Sequence, residues 1–425
     1  MHQSPLSKLQ IKLFYPNLVI SDIAPSWALH LLRRSGMAKE VLWNKNFIIA
    51  CIANFLTACS FNLLMPTIPL YLTEELNIES SKMGIILSSY AFALLLIRPF
   101  SGFLVDLYPR KILYLIGITC FMAVFVGYYF AVTVSFFIIL RFIHGLFWGL
   151  SSVSANTVVI DIIPATRRAE GIGYFGVNMN IAMAIAPFFA IQIYEEKGFS
   201  YLISVAILMG ALAILVVCFI NVPKRIPIEH KQPLSLDRFL LVKALPILFN
   251  QLFITFGWGT LMAYAILYGI ESGVENAGLF FLFLAGGIIA SRVISGKLVD
   301  KGHIHQVIIF AVAVVSLSFL SFALIHSVYA YNISAFFIGI GYGTLLPALQ
   351  IIYINMAPSS QRGTANSTYL TGFDLGIGVG MLVGATIASK YGFQNMYLFT
   401  SLLCFVGLVI YAFSSRKIFD KHKLR

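Results

Sequence analysis

Arg98-Pro99-Phe100-Ser101-Gly102-Phe103-Leu104-Val105-Asp106 is written a second time as Arg292-Val293-Ile294-Ser295-Gly296-Lys297-Leu298-Val299-Asp300, with Arg, Ser, Gly, Leu, Val and Asp at the same places. The spacing of 194 residues also pairs Gly84 with Gly278, Gly145 with Gly339, Gly149 with Gly343, Pro164 with Pro358 and Arg168 with Arg362. One register held over that length marks an internal repeat. The chain is two copies of one structural unit, and any mechanism must use two halves.

Hydrophobic residues make up 59% of the chain and charged ones 11%, more apolar surface than a domain in water can hide, so the solvent is lipid. Apolar runs of about 20 residues recur between short polar breaks. Twelve spans are expected, near 46–72, 83–105, 111–131, 135–160, 170–194, 199–222, 241–269, 277–299, 305–327, 329–356, 363–389 and 392–414. The runs lack the alternation of a membrane barrel, and backbone amides in lipid must be satisfied internally; the fold class is all-α.

The net charge of +12 does not point to nucleic acid, because of where it sits. Lys39, Lys45, Arg110-Lys111, Arg167-Arg168, the connector at 223–240 and the tail at 416–425 carry most of the basic residues, while the alternate loops carry Lys82, Lys197 and Lys390 but also Glu74, Glu75, Glu79, Glu195, Glu196, Glu271 and Glu275. That asymmetry predicts a multi-pass inner-membrane protein with both termini and the connector in the cytoplasm. The five cysteines lie inside spans without metal-ligand spacing and are expected to be buried apolar residues. Residues 1–42 fit neither half; they are expected to be a cytoplasmic extension, or the product of a start codon assigned too early, with Met37 the true start.

Polar residues inside spans are costly unless they meet water or a partner. Asn54 and Asn62 share a face of the first span, where they line a cavity or are satisfied by neighbouring helices. In the fourth, Arg141, His144, Trp148, Ser152 and Asn156 share a face; Arg141 there meets water, an acid or a substrate anion, or serves as a structural hub. In the second half Gln251 and Trp258 lie on one face of the seventh span, and Tyr342, Gln350 and Tyr353 lie on the tenth. The repeat matches Tyr342 to Trp148 and Gln350 to Asn156, so both halves offer a ring and an amide at mid-membrane. Asp374 is the one acid placed near the bilayer centre, and its repeat partner is Asn180. A buried carboxylate favours its neutral form away from a cation and its charged form beside one, so an acid that moves between two such surroundings takes up and releases a proton. The other reading is a fixed ion pair with Arg98.

Gly102-Phe103-Leu104-Val105-Asp106 followed by Arg110-Lys111 resembles the loop signature of the major facilitator superfamily. Arg141 to Gly149 resembles that family's arginine motif, and the glycines from Gly171 to Gly176 ahead of Ala186-Pro187 are similar to its antiporter motif. The likeness covers about residues 43–415. It implies twelve helices in two pseudo-symmetric six-helix bundles, at 43–222 and 241–415, that rock about a central site lined by the first, fourth, seventh and tenth helices. It also implies that Gly102, Asp106, Arg110, Gly296 and Asp300 form a conformational latch at the cytoplasmic ends.

The expected function is secondary active transport, as proton-coupled efflux of small amphiphilic organic molecules, with Asp374, Arg98 and Arg141 in proton coupling. Proton-coupled uptake of a sugar, nucleoside or other nutrient is the alternative, and a transport-dead sensor that has kept the fold is a third. The chain carries no Gly-Lys-Ser nucleotide loop, and His303 and His305 stand in a short turn without further ligands. No enzymatic activity, metal or cofactor is expected beyond an ion gradient. The expected partners are a small-molecule substrate and the bilayer, with a monomer as the working unit.

Overall fold

The structure, a computed structural model, describes residues 41–76, 80–222, 236–274, 277–324 and 327–424; residues 1–40 of the expected extension at 1–42 and most of the connector lie outside them. The compact body is Leu42–Arg425. Its main helices are α1 (Lys45–Glu74), α2 (Ser80–Leu107), α3 (Arg110–Gly127), α4 (Val134–Ile162), α5 (Arg168–Cys218), α6 (Leu245–Glu271), α7 (Leu279–Asp300), α8 (Ile304–Leu324), α9 (Val328–Met356) and α10 (Arg362–Ile410). A π-turn at Tyr411–Ser415 leads into the short α11 (Arg416–His422).

Among the described residues ten helical stretches are long and apolar enough to cross a membrane, against the twelve expected. The difference lies mainly in α5 and α10, each of which runs past a break. Gly198 (φ 80°, ψ 173°) and Gly392 (φ 84°, ψ 162°) leave helical geometry, and they are 194 residues apart. Side chains with a Cβ resist that positive φ, so glycine ends one rod and starts the next at both places. Outward-facing Phe92, Leu212, Leu215, Phe249, Leu317 and Leu382 are well exposed, as a lipid-facing surface requires.

The repeat is physical as well as textual. Thr133 caps α4 by accepting from the Phe136 amide at 3.3 Å, and Ser327 caps α9 at the matching place by accepting from Ala330 at 3.1 Å. A Cβ on Gly145 would strike the Tyr90 carbonyl on α2, and one on Gly339 would strike the Leu284 carbonyl on α7, the repeat partner of Tyr90. Close backbone approach therefore fixes α4 on α2 and α9 on α7 in the same way. Within each half α1 packs on α5 and α6 on α10; between halves α2 meets α10 and α5 meets α7. The stripe Gly372, Gly376, Gly380 and Gly384 seats α10 against Leu248, Thr255, Phe256 and Thr260 of α6.

Candidate functional site

α5 and α10 begin without a side-chain cap of their own, at Arg167 and Gln361, so their first amides need acceptors from elsewhere. Those acceptors come from the opposite half. Asp106, ending α2, accepts from the Gly363 and Thr364 amides at 2.7 Å each; Asp300, ending α7, accepts from the Ala169 and Glu170 amides at 2.9 and 3.0 Å. Carboxylates at helix N-termini are favoured by the free amides and by the dipole together. Gly102 and Gly296, one turn earlier, let the backbones meet: a Cβ there would lie 2.5 Å from Ser367 Cβ and from Glu170 Cα respectively. The five residues expected as a latch thus sit at the two contacts between halves. Arg110 adds a bond to Asp106 at 3.1 Å and pairs with Asp161, which also accepts from Arg362 at 2.7 Å. That network belongs to one contact only, since Ile304 and Asn355 occupy the matching places in the second half.

Above this end a cavity of about 490 Å³ is lined by helices of both halves. Of the expected site residues, Asn54, Trp148, Asn156, Trp258, Tyr342, Gln350, Arg98 and Asp374 line it. Phe61 stacks on Trp148 (4.8 Å, 11° between planes), and Trp258 meets Tyr342 edge-on at 5.0 Å, so each half brings an aromatic pair to the wall. The Asn54, Asn156 and Gln350 amides donate to Phe175 O, Ser152 O and Asn366 Oδ1 at 3.4, 2.8 and 2.7 Å. Asp374 on α10 accepts from Arg98 Nε on α2 at 2.8 Å, and the same guanidinium donates to Ser152 at 2.7 Å. The Arg98 carbonyl accepts from the Ser367 hydroxyl, so the ion pair is buttressed across the halves.

Four expected residues stand apart from the cavity wall, each for a local reason. Asn62 is buried and donates to Ala58 O at 2.7 Å within its own helix. Gln251 and Tyr353 satisfy one another at 2.7 Å, and Gln251 also donates to Tyr369 O at 3.0 Å. Arg141 lies under Tyr90, its guanidinium 4.6 Å from the ring centroid, and Tyr90 takes the place on the wall. Phe61, on the same face of the first span as Asn54, also lines the cavity, and so do Asn180 and Arg292, which the sequence did not single out as site residues. The repeat carried the signal for Arg292, which is the counterpart of Arg98. Among the described residues no group of His, Cys, Asp or Glu side chains could hold a metal ion.

The family model described as "Major Facilitator Superfamily" matches residues 50–343 and 305–423. The "Multi-drug resistance efflux pump PmrA" of Streptococcus pneumoniae is 26% identical over 391 residues, covering 85% of this chain and 94% of that protein. The "Multidrug resistance protein MdtG" of Escherichia fergusonii is 25% identical over 394 residues, covering 88% and 95%. Among solved structures, the human organic anion transporter MFSD10 superposes with a TM-score of 0.70 at 17% identity, over 86% of this chain and 98% of that one. FucP in the outward conformation gives 0.71 at 15%, over 88% and 99%. At such identities these two report the fold alone. The duplicated helical halves, the carboxylates that clamp them and the cavity between them therefore belong to a multi-pass membrane transporter of the major facilitator superfamily.

Proposed function

We propose that this chain exports small amphiphilic organic molecules in exchange for protons, by alternating exposure of the central cavity. The observation that carries the reading is the Arg98–Asp374 pair: a carboxylate on the cavity wall is held by a cation from the opposite half, so opening one half against the other changes its surroundings. A charged carboxylate is favoured beside the guanidinium and the acid form is favoured once that contact is lost, which ties proton uptake to the movement. The stacked rings suit a flat apolar body, and the multidrug efflux pumps among its relatives favour export. The clamped end bears Arg110, Lys111, Arg167 and Arg168, so it is assigned to the cytoplasm, and the cavity then faces outward. Residues 43–222 and 241–415 move as the two units.

The test is transport in inside-out vesicles with an imposed pH gradient. Accumulation of an aromatic drug driven by an acid interior, lost in Asp374→Asn at equal expression, is the expected result. Accumulation driven instead by an acid exterior in right-side-out vesicles would mean uptake.

A further inference from the structure

Arg292 is the repeat partner of Arg98, and its surroundings differ in a way that assigns a ligand. Arg98 has two side-chain partners, Asp374 and Ser152. At the matching places around Arg292 stand Asn180 and Leu346, so both the acid and the hydroxyl are gone. Asn180, Leu346 and Arg292 all line the cavity. Arg292 is only 7% exposed, and among the described residues its Nε has no hydrogen-bond partner and no acid pairs with it. The group runs close beside α5: a Cβ on Gly173 or Gly176 would lie 3.4 to 3.6 Å from its guanidinium nitrogens, in ordinary van der Waals contact.

An arginine in the membrane interior without a counter-ion is costly unless something else neutralises it. The other buried cation nearby, Arg141, lies behind Tyr90 and is not on the wall. We propose that Arg292 is the anion subsite of the cavity, and that the cargo carries a carboxylate, or a group of like charge and shape, on an aromatic body. The guanidinium fork receives a carboxylate through two parallel hydrogen bonds, while Trp148 and Trp258 supply surface for the ring. On this assignment Arg98 has its counter-ion within the protein, in Asp374, while Arg292 receives one only from cargo. The proposal rests on the cavity being the transport site, as argued above, and adds the charge of what enters it.

The test uses the full chain in nanodiscs and equilibrium dialysis with 2-naphthoate, 2-naphthamide and 2-naphthylmethylamine, which share a ring system and differ in charge. Naphthoate is expected to bind at least about tenfold tighter than the amide, as charge-assisted bonds to a buried guanidinium require, with the amine weakest. Arg292→Gln is expected to bring the naphthoate-to-naphthamide ratio near one while amide binding persists, and that persistence shows that the variant is folded. Asn180→Asp places at the matching position the acid that Arg98 has, and is expected to reduce the same ratio with Arg292 intact. A ratio near one in the unaltered protein, or a ratio that Arg292→Gln leaves unchanged, overturns the anion subsite and leaves the transport reading standing. Failure of all three probes to bind would remove the cavity as a cargo site, and this proposal with it.

Discussion

Asp106→Asn is expected to loosen the clamped end of the molecule more than Asp300→Asn does, and the structure sets the size of the difference. Asp106 receives two backbone amides at 2.7 Å and Arg110 at 3.1 Å. Asparagine keeps one acceptor oxygen and turns an NH₂ toward groups that are themselves donors, so at least one charge-assisted bond is lost and the remainder weaken. Such bonds contribute about 1.5–3 kcal/mol each, and the amides regain water only when the halves part, so the clamped state loses about 2–4 kcal/mol against the open one. That is a shift of about 30- to 1000-fold in the population ratio. Asp300 holds two longer bonds, at 2.9 and 3.0 Å, and Ile304 stands where Arg110 stands in the first half, so its loss is expected to cost about 1–2 kcal/mol. Spin labels at Ala165 and Ser359, exposed and matched by the repeat, report the opening by double electron–electron resonance in a background with the five cysteines replaced. The expected result is a new long-distance population, larger in Asp106→Asn, with transport impaired at equal expression. Distributions unchanged in both variants, or transport equal to the parent in both, would refute the clamp.

Other substitutions probe the packing and the cavity. Gly339→Ala drives a Cβ onto the Leu284 carbonyl, and a melting temperature lowered by overpacking of about 1–3 kcal/mol is expected; Gly378→Ala, where a Cβ meets nothing within 4 Å, serves as the control and is expected to leave it unchanged. Phe61→Ala removes the ring stacked on Trp148 and is expected to weaken dialysis binding of 2-naphthamide by about tenfold, whereas an unchanged affinity would move the aromatic subsite elsewhere. Asp374→Asn is expected to abolish the dependence of transport on the pH gradient while leaving cargo exchange at equal pH, and a retained dependence would take Asp374 out of the coupling.

The division into halves was legible because the motif ending in Asp106 is spelled again at Asp300, and a carboxylate at a helix end has few uses beyond holding amides. Which polar residues face the cavity was legible only in part. Asn54, Asn156 and Gln350 reach the wall, but Asn62 donates within its own helix, and Gln251 and Tyr353 find each other. Helical periodicity assigns a face to an amide and says nothing about whether a neighbour across that face carries its complement. Arg141 shows the same limit in depth: it shares a face with Trp148, yet Tyr90 from another helix covers it. Such occlusion comes from tertiary packing, which a single helical period cannot encode.

Where the halves agree, the shared residues build the frame: Gly198 and Gly392 at the breaks, Gly145 and Gly339 at the close crossings, Thr133 and Ser327 at the caps, Asp106 and Asp300 at the clamps. Where they part, charge is what changes. Asp374 faces Asn180, Ser152 faces Leu346, Arg110 faces Ile304 and Asp161 faces Asn355 across the repeat. Two identical halves would put an ion pair on both walls, and a cavity so neutralised would hold no unmet charge for a ligand to answer. The absence of one acid and one hydroxyl leaves the shared frame intact while making the walls unlike, one carrying an acid paired with a guanidinium and the other a guanidinium without an acid beside it, and the two roles proposed above rest on that difference. In a duplicated transporter the informative positions are therefore those where a buried charge has lost its counterpart, and in this chain one set of them, Arg98, Asp374, Asn180 and Arg292, lines the cavity, while the set around Arg110 and Asp161 lies at the clamped end.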